Sequence, residues 1–535
     1  MASKKKKYVI PRTGDVAKQV FSKVMAFYMF FMFAIYPLYY QDKYYNMGEA
    51  KWIFFSRVSV VFGGLAVLLL IWYLGCFIAK NEFGQFAKDS IGKMNIADWF
   101  VFAYGVIVII SSIITPYKAH VIWGYDGWYM GLVAQLGFVL VYFLISRFWK
   151  WDSLYLFIFM FVAFIVFFFG VIMKFRIDPL EMYVDLDEQY IRNFLSTMGQ
   201  ATWYSSYLCI MYPLGVIAFW KAKKPWVRVV FGIFSAVSFM SVVTQNSDSA
   251  YMAIAGIFFM LFWISMEDNQ QFLRFLEVMM IALGSFKFIG ILQKIYADRM
   301  VPLDALSIFM SQSSLTGIAF VVVVLLYVIL TRVVKDNPDF DISRVKPVRY
   351  VALAAVILAI AGGVIFIYMN TTGKLPEDKA SSNNYLYFDN TWGNSRGLSW
   401  KCAVGTFEQC DGVRKLFGAG PDGFAEEVYT YYKTELDARW GENTTLTCAH
   451  NEWLNALVNV GLLGLIAYLG IFISVFILCM KNAKKYPELY GVAISIVAYI
   501  LHNFFCYQQI ICTPVIFILM GMAVSLINNG YGEEE

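Results

Sequence analysis

Charge is what this chain lacks most. Of its 535 residues only 15% are Asp, Glu, Lys or Arg, where a soluble protein carries about 25%, so most of the chain needs no water-facing surface. Histidine is scarce: His120, His450 and His502 are all there are. No Gly-rich loop ending in Lys-Ser/Thr and no His-Glu-x-x-His occurs, which argues against ATP-driven chemistry and the zinc-protease helix. Gly418-Ala419-Gly420 follows no expected strand and makes a poor dinucleotide fingerprint. The eight cysteines show no pair at metal-ligand spacing. No metal and no cofactor are expected, and no internal repeat is visible.

What the chain has is apolar length. Hydrophobic residues make up 59% and the mean hydropathy is +0.59. Runs such as 101–114, 154–173, 316–330 and 454–480 can each span a hydrocarbon core as a helix. Lys4, Lys5, Lys6 and Lys7 form a basic start. The apolar run after them is too long and aromatic for a cleaved signal and has no small-x-small exit, so it is expected to stay as a first span. About fourteen spans are expected, near 20–40, 56–78, 97–115, 128–146, 152–173, 201–220, 226–243, 249–266, 273–292, 314–331, 350–369, 452–480, 488–506 and 509–528. The basic residues sit in alternate connections: Lys80, Lys88 and Lys93; Arg147 and Lys150; Lys221, Lys223, Lys224 and Arg228; Arg274 alone; Arg332, Lys335, Arg344, Lys346 and Arg349; Lys481, Lys484 and Lys485. That alternation places both termini in the cytoplasm. The net charge of +5 thus reflects cytoplasmic lysines and gives no reason to expect nucleic acid.

The expected organisation is an all-α polytopic membrane protein. Residues 1–173 hold N-terminal spans, 174–200 an outer loop, 201–369 central spans, 370–449 a large outer loop between spans 11 and 12, and 450–535 the last spans and a cytoplasmic tail. Within the large loop, 371–384 is polar and reads as flexible. Leu398, Ala403 and Phe407 have helical spacing before a break at Cys410, and a second helix is expected over 425–439. The turn-rich 418–423 lies between them, where backbone can approach a ligand or a helix closely. Cys402, Cys410 and Cys448 share this loop, so a disulfide with one cysteine left over is possible.

Charges held against a membrane cavity are functional suspects. On the outer side these are Arg192, Arg396 in the stretch from Trp392 to Trp400, and His450 where the large loop re-enters the membrane. Each has a plainer reading: outer-loop arginines more often snorkel or pair, and a histidine at a helix start is more often a cap. His450 leads as an outward-facing base because histidine is so rare here. His502 could also face the cavity, and His120 reads as structural.

At these residues the chain resembles the O-antigen ligase and polymerase superfamily. His450-Asn451 is followed by nine residues, Gly461, two residues and Gly464, which fits that family's His-(Asn/Ser/Gln)-x9-Gly-x2-(Gly/Ser) pattern. Ser395-Arg396 with Trp400, then Leu416-Phe417-Gly418-Ala419-Gly420 and Phe424, is similar to its arginine–tryptophan segment and Gly-x-Gly turn. Arg192 with Thr197, Gly199 and Tyr207-Leu208 is similar to its outer loop ahead of the middle spans, and His502 with Pro514 to its end. The resemblance covers residues 190–528; the first five spans match only in style. The segment 244–249 departs, with Asp248 where members often carry arginine. Lys287, Lys294 or Arg299 could substitute.

The resemblance implies a fold like the GT-C-type membrane glycosyltransferases. It also implies a bacterial cytoplasmic membrane and metal-independent, inverting transfer of a glycan from undecaprenyl diphosphate. The acceptor is a hydroxyl on a glycan, lipid or protein. Arg396, then Arg192, suits the diphosphate leaving group, because a guanidinium bonds two phosphate oxygens and stays charged. His450 is assigned as base, kept neutral by a helix N-terminus. Asn451, Trp400, Gly418 and Gly420 are assigned to substrate binding. Gly461 and Gly464 are expected to let a neighbouring helix approach, and Leu454 and Leu457 could face the prenyl chain, although packing is the commoner role. Three readings compete. A metal-dependent polyprenyl-phosphate-sugar transferase would use Asp185 and Asp187. A lipid-linked-oligosaccharide carrier would be expected to show paired halves. A scaffold would have no need of the arginine–histidine set.

Overall fold

A backbone in hydrocarbon must pair every N–H and C=O within its own segment, and a helix does that alone. The computed structural model describes residues 13–531 and is helical almost throughout. Lys4, Lys5, Lys6 and Lys7 lie outside the described residues. Among the described residues, ten helices of 18 to 32 residues are long and apolar enough to cross a membrane, from Gly14–Ile35 to Glu452–Asn482. Leu132–Phe148, Glu488–His502 and Thr513–Asn529 are apolar but shorter.

The remaining segment expected to cross is the helix Ala201–Lys221. Its hydropathy is lowered by Tyr204, Tyr207 and Tyr212, all fully buried. This helix packs against Pro225–Thr244 and Glu488–His502, so its polar groups meet protein and not lipid. Tyr204 Oη donates to Ser241 Oγ at 2.9 Å, and Ser495 Oγ donates to the Ile210 carbonyl at 2.6 Å.

The helices Ser314–Asp336 and Val348–Thr371 face outward. Val321, Val351 and Leu358 are 55%, 69% and 70% exposed. Apolar faces of that extent would drive association in water; in a bilayer they are the lipid contact. The chain is a multi-pass membrane protein.

The connections gather at two ends. At one, Glu267 pairs with Lys346 (2.9 Å), Arg349 (3.3 Å) and Lys484 (3.5 Å), basic residues that the charge alternation assigns to one side. Arg274, the weak link in that alternation, shares Glu277 with Arg228. At the other end the loops 115–131, 174–200, 245–248 and 370–449 and the turn 503–512 meet one another. The strand pair Phe194–Leu195 and Gly199–Gln200 lies here, in the second of these loops.

The large loop folds as three helices, Trp392–Gln409, Gly412–Phe417 and Phe424–Trp440. Leu398, Ala403, Phe424, Val428 and Leu436 are its core. Its polar head is held more firmly than its composition suggests: Asn370 donates to the Ser381 and Leu386 carbonyls and accepts from Ser381 N–H. Cys402, Cys410 and Cys448 are each buried and unpaired, and Cys448 fills apolar space with Cys506 and Tyr507.

Candidate functional site

The site begins with a strained turn. Gly393, Asn394 and Ser395 have φ of 56°, 63° and 70°, three left-handed residues in a row. Asn tolerates this conformation better than most residues, Ser less so, and such strain gathers where function holds it. The next residue is Arg396. Gly397 then lies flush on the chain: a Cβ there would come 1.9 Å from the Asp389 carbonyl oxygen. The turn swings Arg396 toward the 503–508 segment, with its guanidinium 5.9 Å from the Phe505 ring. Nη1 donates to the Gly393 carbonyl at 3.1 Å, while Nε is buried without a partner. Most of its donors are unfilled.

Trp400 follows one helical turn later. Its ring lies on Phe505 (5.8 Å, 20°) and 5.0 Å from Trp392, and its Nε1 is buried without a partner. Trp400 therefore builds the aromatic wall beside Arg396.

His450 reaches the same segment from the other side. It has a φ of 49°, is partly buried, and its ring stands edge-on to Tyr507 at 5.2 Å. Burial first, and the Arg396 charge second, push its pKa from about 6.5 down to about 4. The imidazole is neutral at physiological pH. Asn451 is the helix cap: its Oδ1 accepts from the N–H groups of Trp453 and Leu454, both at 3.0 Å. Whatever else Asn451 binds must use its amide NH₂.

Beneath lies a polar network that sequence reasoning missed. Glu452, buried, accepts from Tyr468, Tyr499 (3.2 Å) and Asn503. Its backbone N–H donates to the Asn503 carbonyl at 3.0 Å, and Asn503 Oδ1 meets His502 Nδ1 at 2.9 Å. His502 is fully buried with Nε2 unpartnered. Glu452 is one residue beyond Asn451 in the sequence, and the aromatic run Phe504-Phe505-Cys506-Tyr507 after His502 was the available sign of the floor.

Gly418 and Gly420 dock the loop onto a break in the helix Glu452–Asn482. At Gly461 (φ 70°, ψ −175°) the helix kinks, freeing carbonyls that Ala419 N–H (to Val458, 2.9 Å) and Gly420 N–H (to Asn459, 2.8 Å) take up. Gly418 N–H donates to Arg414. All three amides are thus occupied by protein, and these glycines serve the docking. Gly461 lets a helix approach as expected: the one that comes close is the short loop helix Gly412–Phe417, through the Leu416 and Phe417 backbone. Gly464 lies against Val460 of its own helix and Ile107.

Asp422 fastens the other edge. Its Oδ2 accepts from Tyr125 N–H (2.8 Å) and Met130 N–H (3.3 Å) in the 115–131 loop, and burial raises its pKa to about 6. His120 stacks on Tyr125 there, 4.0 Å from Glu426. Replacing Asp422 by Ala strands the buried Met130 N–H and the half-buried Tyr125 N–H, a loss of about 1–3 kcal/mol for a buried group. The expected outcome is a lower melting temperature in detergent than Asp422→Asn, which keeps an acceptor.

Arg192 does not touch Arg396. It pairs with Asp304, and its carbonyl accepts from Lys174 Nζ at 2.8 Å. Lys174 is fully buried, and that burial lowers its pKa to about 7. Asp248 accepts from Tyr385 Oη at 2.9 Å, and Tyr385 lies within reach of the charges of both Asp304 and Arg396. Lys287 is spent on the carbonyls of Gln312 and Ser313, and Lys294 and Arg299 are exposed. The lysine brought to Arg192 is Lys174, which the sequence showed only as a loop boundary. Asp185 and Asp187 are exposed, and among the described residues no three His, Cys, Asp or Glu side chains gather as a metal site would need.

Residues 300–469 match the family model described as O-antigen ligase. The match contains Arg396, Trp400, Gly418, Gly420, His450 and Asn451 and leaves out Arg192. No curated protein matches the chain.

Proposed function

We propose, for a chain that carries an O-antigen ligase domain and so belongs to the O-antigen ligase and polymerase superfamily, that it transfers a glycan from undecaprenyl diphosphate to an acceptor hydroxyl at the outer face of a bacterial cytoplasmic membrane. In this reading the fourteen helical segments all cross, both termini are cytoplasmic, and 370–449 is the outer catalytic loop. One observation carries it: an imidazole, His450, and a guanidinium with free donors, Arg396, converge on one aromatic turn, 503–508.

His450 takes the proton of the acceptor hydroxyl. The oxygen attacks the anomeric carbon, the bond from that carbon to the diphosphate oxygen breaks, and the configuration inverts. The leaving diphosphate gains charge, and Arg396 meets it with preorganised N–H donors. Arg192 is the second anion contact, exchanging Asp304 for phosphate, with Lys174 beneath it. Trp400 walls the pocket, and Asn451 caps the helix that presents His450.

Purified protein in nanodiscs, given an undecaprenyl-diphosphate oligosaccharide and EDTA, is expected to release undecaprenyl diphosphate and form an inverted linkage. A ladder from donor alone identifies a polymerase; turnover only with an added acceptor identifies a ligase. Activity abolished by EDTA and restored by a divalent cation would sink the metal-independent mechanism.

A further inference from the structure

On the outward side of the strained turn that carries Arg396 there is a cavity of about 270 Å³. It lies just below the usual range of ligand pockets, which begins at roughly 300 Å³, and so has room for a single small unit. Asn384, Tyr387, Asp389, Asn394, Ser395 and Arg439 line it, with Ser382 and Thr391 completing the wall. Every one of these side chains carries a hydrogen-bonding group, and none is aliphatic.

The polar groups are arranged rather than scattered. Arg439 Nε donates to Ser395 Oγ at 2.7 Å, which leaves its other nitrogens for the cavity. Asp389 Oδ1 accepts from Thr391 N–H and Oγ1–H, both at 2.8 Å, which leaves Oδ2. Donors and acceptors are thus offered together, beside the Tyr387 ring.

That combination selects among ligands. A prenyl chain finds no apolar wall. A phosphate finds one guanidinium but also the Asp389 carboxylate. A sugar has hydroxyls that both donate and accept, and C–H faces that lie on an aromatic ring. The turn itself is the second observation. Asn394 and Ser395 enter the cavity and Arg396 leaves toward the 503–508 segment, so three left-handed residues couple the two sites.

We propose that this cavity is a saccharide subsite, holding one sugar unit of the glycan while Arg396 acts on the far side of the turn. This rests on the glycan-transfer reading given above. The sugar belongs either to the donor or to the acceptor, and the chemistry of the cavity is common to both.

The test uses the full chain in nanodiscs. The probe is short oligosaccharides obtained by partial acid hydrolysis of the host cell's own surface polysaccharide, with binding followed by saturation-transfer NMR in the absence of any lipid-linked donor. Wild type is expected to bind. Asn384→Ala with Tyr387→Ala, both exposed positions checked by a monodisperse elution profile, is expected to weaken binding by about tenfold or more. Wild type that binds no fragment, or a double variant that binds as tightly as wild type, overturns the proposal. In turnover, a higher KM for the lipid-linked glycan assigns the sugar to the donor and a higher KM for the acceptor assigns it there; no change in either again overturns it. Fragment binding lost in the double variant, together with no undecaprenyl diphosphate released by wild type, leaves the subsite standing and refutes the transfer reading alone.

Discussion

Replacing His450 by alanine is expected to lower turnover by about 10²–10⁴-fold, the usual contribution of a positioned general base, with little change in the KM for donor. Arg396→Ala is expected to lose about 10²–10³-fold, the scale of removing one preorganised donor to a developing anion. The two residues act on different bonds of one step, so the double variant should fall less than the product of the single losses. Single-turnover release of undecaprenyl diphosphate, with each variant checked for a monodisperse profile, reads these effects directly. A His450 variant as active as wild type would remove the base assignment. His502 would not inherit it easily, since it is fully buried and its Nδ1 already meets Asn503.

The second large effect is structural. Gly461 and Gly418 both have φ near +70° with ψ near 180° (70°, −175° and 76°, −173°), a region open essentially to glycine alone at about 1–3 kcal/mol for other residues. Each also faces the other's backbone: a Cβ on Gly461 would come 2.4 Å from the Leu416 carbonyl, and one on Gly418 would come 2.4 Å from that of Asn459. Backbone cannot swing aside as a side chain can, so overpacking adds about 1–3 kcal/mol more. Gly461→Ala or Gly418→Ala is therefore expected to undock the large loop from the kink, with a lower melting temperature and loss of turnover. Gly363→Ala, on a lipid-facing helix with nothing within 4 Å of the added carbon, is expected to behave as wild type.

These glycines show where the sequence stops being legible. Hydropathy locates the apolar helices because solvent sets their length, and helix occupies every segment expected to cross a membrane. It fails to mark Ala201–Lys221 as strongly apolar because that helix faces protein. Arg396 stood out as a charge in an outer loop, and His450 as one of three histidines. Their partners did not: Phe505 and Tyr507 come from a short turn at the far end of the chain, and Glu452 reads as an ordinary helix-start acid until Asn503, 51 residues on, is seen to meet it. Gly418-Ala419-Gly420 read as a place where backbone approaches a ligand or a helix; what it approaches is a helix, and the Ala419 and Gly420 amides serve carbonyls freed by a kink that no local pattern announces. Contacts between distant segments are what a periodicity cannot carry.

The coupling of His450 to Arg396 can be measured in a pH profile of single-turnover release. A base whose pKa lies near 4 stays neutral at all higher pH, so wild-type rates should hold level from neutrality downward and fall only as pH approaches 4. Arg396→Gln removes one of the two causes of that lowering, and its weaker activity should fail at higher pH, toward the ordinary value near 6.5. Arg396→Lys keeps the charge and should keep the wild-type limb while losing rate. A wild-type limb already at 6.5, or one that does not move in Arg396→Gln, would contradict the account of a neutral base poised beside a cation.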